Sequence, residues 1–68
     1  MRYVELTRKL RWLGCQFRRQ AKSSHEIWWH PERKLYTVIP RRSGEIAGGT
    51  LLKILKDVDL AENDIRKA

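Results

Sequence analysis

Three short segments with β-strand composition, in the middle of the chain, constrain its fold more than any other feature. They cover residues 15–20, 25–30 and 35–39, and only four residues connect each one to the next. A crossover between parallel strands needs a dozen or more residues, whereas antiparallel strands can be joined by a short turn. The sequence therefore predicts a three-stranded antiparallel meander.

An amphipathic helix is predicted on each side of this meander. Residues 3–13 have apolar side chains at helical spacing, and Gly14 follows as the residue that most readily forms a left-handed C-terminal cap. A second helix is predicted from about Thr50 to Val58, and residues 61–67 add a short final turn of helix. The two apolar stripes comprise Tyr3, Leu6, Leu10 and Leu13, then Leu51, Ile54, Leu55 and Val58. The predicted fold class is α+β, an α-β-β-β-α two-layer sandwich with both helices on one face of the sheet.

The chain of 68 residues is expected to form a single domain, 1–68, with a thin core that a partner or an oligomer would help to stabilise. Cys15 is the only cysteine, so a disulfide within one chain is excluded, and the residue is expected to be buried. No apolar run approaches the roughly 18 residues of a membrane span, and no signal peptide is recognisable. A cytoplasmic protein is expected.

Positive charge is concentrated in the first two thirds of the chain. The net charge is +7, and residues 1–49 hold eleven Lys or Arg against four Asp or Glu, whereas residues 50–68 hold four of each kind. A basic body favours a polyanionic ligand, of which nucleic acid is the commonest. A solvated basic surface that serves only solubility is the alternative.

The placement of several side chains follows from the predicted strands. Cys15 and Phe17 are expected on one face of the first strand, with Gln16, Arg18 and Gln20 on the other. Trp28 and Trp29 must face opposite sides of the sheet, but their sequence leaves open which one faces the helices. Trp12 lies off the apolar stripe and is expected to pack against another element or a partner, or else to form an exposed stacking surface. The pair Gly48-Gly49 is expected to allow a tight turn into the second helix.

His25 is the candidate catalytic residue. It begins the second strand after a short polar turn, and an unperturbed histidine has a pKa of about 6.5, which suits proton transfer near neutral pH. RNA can be cleaved without a metal when a base takes the proton of the 2′-OH, an acid protonates the leaving oxygen and cations stabilise the charged intermediate state.

Several polar residues could assist His25 by contacting RNA. Lys22, Arg18 and Arg19 can bind phosphate, and Ser24 and Gln20 can orient the substrate. The pair Arg41-Arg42 is either a phosphate or partner contact or a solvated turn. His30 is expected on the opposite face from His25, with a structural hydrogen bond near Pro31. The two histidines and the cysteine lack the spacing of metal ligands, so no metal and no cofactor are expected.

The order of these motifs resembles the HicA family of toxins over residues 3 to about 65. The resemblance rests on the helix end Leu13-Gly14, the segments 17–20 and 22–25, Ile27-Trp28, His30-Pro31, and Gly49-Thr50-Leu51 followed by 54–56. The family has a Gly-Ser-His turn before its second strand and a Pro-Gly-Thr-Leu-like start to its last helix.

The resemblance implies a small basic protein with a double-stranded-RNA-binding-domain-like fold. It implies a ribosome-independent mRNA interferase, an endoribonuclease that uses the histidine of the turn and is neutralised by a HicB-type antitoxin covering the active site. The catalytic position falls on His25, the turn serine on Ser24, and the basic and glutamine positions on Arg19 and Gln20.

Two positions depart from the family pattern. Ser23 replaces the turn glycine, which would strain the turn if that position requires a positive φ. Gly48 replaces the proline before the Gly-Thr pair. The alternative to an active enzyme is a non-catalytic RNA-binding module of the same fold, and a protein-interaction adaptor is a third possibility.

Overall fold

The structure, a computed structural model, describes residues 1–41 and 44–68. Its elements in chain order are α1 (Tyr3–Trp12), β1 (Gln16–Gln20), β2 (His25–His30), β3 (Leu35–Pro40), α2 (Gly48–Asp57) and α3 (Glu62–Lys67). The α+β prediction is confirmed, including the short helix at the end. The second helix begins two residues before the predicted Thr50.

The three strands form one antiparallel sheet in the order β1-β2-β3. The pairing of β2 with β3 is continuous from His25 opposite Pro40 to His30 opposite Leu35. The pairing of β1 with β2 contains a bulge, because Phe17 lies opposite Trp28 and Arg19 lies opposite Ile27. The predicted meander is therefore correct, with one irregularity that the residue pattern did not indicate.

The bulge corrects the predicted alternation along β1. Arg18 is the extra residue, and beyond it the residues change sides, as expected when two residues oppose one. Arg19 therefore lies on the same face as Arg18, and Gln20 falls opposite Glu26 on the helix side. The prediction that Gln16, Arg18 and Gln20 share one face is wrong for Gln20.

The hydrophobic core lies between the sheet and the helices. Burial alternates along β2, so Glu26, Trp28 and His30 face the helices. Trp28 is the largest buried side chain, and it makes an edge-to-face contact with Phe17 and lies under the guanidinium of Arg11. The core residues are Leu6, Leu10, Cys15, Trp28, Ile39, Ile46, Ile54, Leu55, Val58 and Ile65. Trp29 is consequently the outward ring, and the predicted burial of Cys15 is confirmed.

Gly14 ends α1 in the way the sequence predicts. Its φ is +99°, and the amides of Gly14 and Cys15 donate to the carbonyl oxygens of Arg11 (3.1 Å) and Leu10 (2.8 Å). This is the paired hydrogen-bond pattern of a Schellman C-cap. A Cβ on Gly14 would lie 3.0 Å from Nε2 of His30, so glycine is required here by packing as well as by backbone conformation.

Gly48 and Gly49 play a different part from the one predicted. They are the first two residues of α2, neither has a positive φ, and a Cβ on either would meet no atom within 4 Å. The predicted tight turn is therefore wrong, because both glycines lie in the helix itself. Nothing in the surrounding structure demands glycine at these positions.

Trp12, at the end of α1, is 80% exposed. Packing against another element, one of the two alternatives for this side chain, is therefore wrong within the chain. None of the helices among the described residues combines the length and the apolar character that crossing a membrane requires.

Candidate active site

His25 lies on the open face of the sheet, at the first position of β2. Its side chain is exposed and shares this face with Ile27 and Trp29, since residues two apart in a strand point the same way. His30 is five residues further on, is buried on the opposite face, and accepts a hydrogen bond at Nδ1 from the amide of Arg33 (3.3 Å). The predicted structural role of His30 is confirmed, and it cannot act together with His25.

Hydrogen bonds hold the turn that precedes His25. The His25 amide donates to the Lys22 carbonyl (3.2 Å), and the Ala21 amide donates to the His25 carbonyl (2.9 Å). The side-chain amide of Gln20 donates to the Ser23 carbonyl (2.9 Å). Gln20 therefore contacts the turn itself, which makes it a residue that shapes the site, while its role toward RNA stays a prediction.

Ser23 has a φ of +55°, in the left-handed region. It is the first central residue of the turn closed by Lys22 and His25, a place where hairpin turns with positive φ favour glycine. The position therefore requires a positive φ, and serine adopts it at the steric cost of its Cβ. Lys22 and Ser24, on either side, are exposed.

Arg41 is brought to His25 by the sheet. Pro40 is the register partner of His25, and the Arg41 amide donates to the Ser24 carbonyl (2.6 Å). Its guanidinium forms an ion pair with Glu26 (Nη1 to Oε2, 3.9 Å) while remaining about two-thirds exposed. The two alternatives for this residue, a phosphate or partner contact and a solvated turn, both stay predictions. Arg42 lies outside the described residues.

Glu26 anchors this corner of the protein, and the residue pattern alone gave it no role. The carboxylate is buried and accepts hydrogen bonds from the Tyr3 hydroxyl and from Nε1 of Trp28 (3.0 Å), in addition to its ion pair with Arg41. A buried carboxylate requires such partners. Strand alternation indicates only that Glu26 and His25 face opposite sides of the sheet, and it does not show which side meets the helices.

Tyr3 remains a neutral donor to this carboxylate. Burial raises the pKa of Tyr3 to about 12, and the hydrogen bond and negative charge of Glu26 add to the effect. The hydroxyl therefore keeps its proton at all physiological pH values and continues to satisfy Glu26. The carboxylate in turn attracts the exposed guanidinium of Arg41.

Arg18 and Arg19 lie on the same sheet face as His25. The guanidinium of Arg18 is 4.5 Å from the ring centroid of Trp29, and Arg19 pairs with Ile27, two residues along β2 from His25. A depression of about 470 Å³ lies beside them, lined by Arg18, Arg19, Ile27, Tyr36, Thr37, Val38 and Asp57. The structure thus places Arg18, Arg19 and His25 on one face, and Lys22, Ser24 and Arg41 in the turn and chain segment beside His25, with the Arg41 guanidinium directed toward Glu26 on the helix side.

Metal binding and a cysteine nucleophile are two other kinds of chemistry that the titratable side chains could support. Within residues 1–41 and 44–68, no three His, Cys, Asp or Glu side chains are grouped as they would be around a metal ion. Burial raises the pKa of the Cys15 thiol, which therefore lacks the thiolate character of a nucleophile.

These features define a small basic α+β domain with a histidine exposed at the edge of its open sheet face. The sequence matches the family described as HicA toxin of bacterial toxin-antitoxin over residues 3–60. The chain belongs to this HicA toxin family, and membership implies an antitoxin partner. No curated protein matches the chain.

Proposed function

We propose that this HicA-family protein is an endoribonuclease that cleaves mRNA without a metal and uses His25 as its catalytic residue. The observation that carries the proposal is the position of His25, exposed as the first residue of β2, with Arg41 directly after its register partner Pro40. A proton-transferring imidazole with cationic side chains nearby is the arrangement that this reaction needs.

The RNA supplies its own nucleophile, which is why the reaction requires no metal. The 2′-oxygen forms a bond to phosphorus as it loses its proton, and the bond from phosphorus to the 5′-oxygen breaks as that oxygen gains one. His25 acts as the general base or the general acid in this exchange. Arg41, held by Glu26, and Lys22 are the cations that stabilise the added negative charge.

The remaining site residues bind and orient the substrate. Arg18 and Arg19 contact phosphates along the sheet face, Ser24 orients the scissile group, and Gln20 maintains the turn. Arg42 is part of the same proposal on the strength of its sequence position alone. We propose further that the antitoxin is of the HicB type, that it covers the His25 face, and that the toxin acts in the cytoplasm as a single domain.

The test is cleavage of single-stranded RNA in EDTA by the wild type, by His25→Ala and by Arg66→Ala. Removing a general acid or base lowers the rate by about 10²–10⁴-fold, so His25→Ala should lose cleavage and retain RNA binding. Arg66, an exposed cation on α3, is the control, and its replacement should leave the rate unchanged. Binding without cleavage by the wild type would instead identify a non-catalytic RNA-binding module.

A further inference from the structure

Three side chains form a continuous stack across the open face of the sheet. The ring of Tyr36 stacks on Trp29 at 5.3 Å and 24°, and the guanidinium of Arg18 lies over Trp29 at 4.5 Å. They come from β3, β2 and β1 in that order, so the stack, here called the stacking row, crosses all three strands. Tyr36 ends the row on the edge strand and is 48% exposed.

The stacking row lies on the same face as His25. Trp29 is four residues along β2 from His25, which corresponds to about 13 Å in an extended strand. Ile27 lies between them, and its partners Arg19 and Val38 extend the surface on both sides. A short stretch of extended single-stranded RNA can span this distance.

The chemistry of this face suits a nucleic acid. Its described strand residues include Arg18, Arg19 and His25 and no carboxylate. In the adjacent depression the acidic residue is Asp57, whose Oδ2 already accepts hydrogen bonds from Lys53 and Thr37 at 2.9 Å each. An anionic chain therefore meets cations and aromatic rings here without opposing free negative charge.

We infer that the stacking row binds an unpaired base close to the cleaved bond, and that the substrate of this site is consequently single-stranded RNA. Every base has a flat face that can extend a row of aromatic rings, and such stacking is tolerant of sequence. In a duplex, the neighbouring base pairs already cover both faces of each base, so the row would have nothing to bind. The inference rests on the proposed function only for where the cleaved bond lies.

Binding to the wild type should be measured with a single-stranded RNA that carries 2′-O-methyl groups throughout, because such RNA cannot be cleaved through its 2′-oxygen. Tyr36→Leu removes the ring and keeps an apolar side chain, whereas Tyr36→Phe keeps the ring. We expect Tyr36→Leu to weaken binding about tenfold and Tyr36→Phe to change it less than about twofold. Val4→Ala, which removes an exposed apolar side chain from the helical side, should leave the affinity unchanged.

A second set of oligonucleotides distinguishes stacking from an indirect effect of the substitution. Removing one base at a time should weaken binding to the wild type at a single position, and this penalty should disappear in Tyr36→Leu. A matching duplex should bind more weakly than the single strand. The inference would be overturned if the wild type and Tyr36→Leu bound the single strand with equal affinity. It would also be overturned if the wild type bound the duplex as tightly as the single strand.

The outcomes separate this inference from the proposed function. Absence of cleavage by the wild type, with ring-dependent binding intact, would remove the nuclease proposal and leave the stacking row as an RNA site. Cleavage that depends on His25 but not on Tyr36 would remove the stacking row alone. If Tyr36→Leu weakens only the complex with the antitoxin, the row is a protein-docking surface and the inference is wrong.

Discussion

Ser23 is the residue at which the backbone and the side chain conflict. A β-carbon in the left-handed region costs about 1–2 kcal/mol. Glycine avoids this cost, but it loses more conformational entropy on folding, which lowers the stability by about 0.5–1 kcal/mol. We therefore expect Ser23→Gly to raise the free energy of unfolding by about 0.5–1 kcal/mol, measured by urea denaturation. His25 would then follow a turn without strain.

The neighbouring serine provides the control for this prediction. Ser24 has no positive φ, so Ser24→Gly removes no strain and should lower the stability by up to about 1 kcal/mol. If both substitutions change the stability in the same direction, conformational strain at Ser23 is not the cause.

At the scale of the helix, replacing a glycine by alanine is expected to have opposite effects on stability at the end of α1 and at the start of α2. Gly14→Ala would introduce a Cβ at positive φ and 3.0 Å from the His30 ring. We therefore expect it to lower the free energy of unfolding by about 1–3 kcal/mol. Gly49→Ala, in the first turn of α2 with no atom within 4 Å of the new Cβ, should gain about 0.5–1 kcal/mol.

Thermal or urea unfolding of the two alanine variants measures this contrast directly. Each substitution adds the same methyl group, so the difference between the variants reports the local structure and not the residue type. A stabilising Gly14→Ala would show that the Schellman cap and the His30 contact do not constrain this end of α1.

The bulge in β1 has the largest consequence of any single element. In a regular strand, Arg18 and Arg19 would point to opposite faces. Because the bulge inserts one extra residue, both lie on the face that carries His25. The local irregularity thus doubles the number of arginines that this strand contributes to the candidate RNA surface.

For the whole molecule, the uneven charge predicts where RNA binding is sensitive to salt. Each phosphate contact with a single strand contributes about 0.7 to the slope of log affinity against log salt concentration. We expect Arg19→Gln, on the His25 face, to reduce the slope by about 0.7. Arg66→Gln, which removes the same charge from the electrically neutral segment 50–68, should leave it unchanged.

Titration of RNA binding over a series of salt concentrations, by fluorescence anisotropy, gives these slopes. Equal reductions by Arg19→Gln and Arg66→Gln would mean that the affinity follows net charge alone. In that case the sheet face would have no preferred role, and the basic surface would attract RNA without a defined binding site.

Local patterns in the sequence were sufficient for the element order, the antiparallel meander, the Gly14 helix end and the opposite faces of His25 and His30. These features depend on residue spacing and on short connections, both of which are properties of the chain itself. The resemblance to the HicA family was also visible in the order of motifs and is confirmed by the family match.

Only the tertiary structure decided which tryptophan is buried, where the bulge falls, and that Glu26 connects Tyr3, Trp28 and Arg41. It also showed that Trp12 is exposed and that Ile46, from the loop after β3, belongs to the core. These outcomes depend on strand register and on contacts between residues far apart in the chain. Local periodicity contains no information about such contacts, because packing selects among arrangements that are equivalent along the sequence.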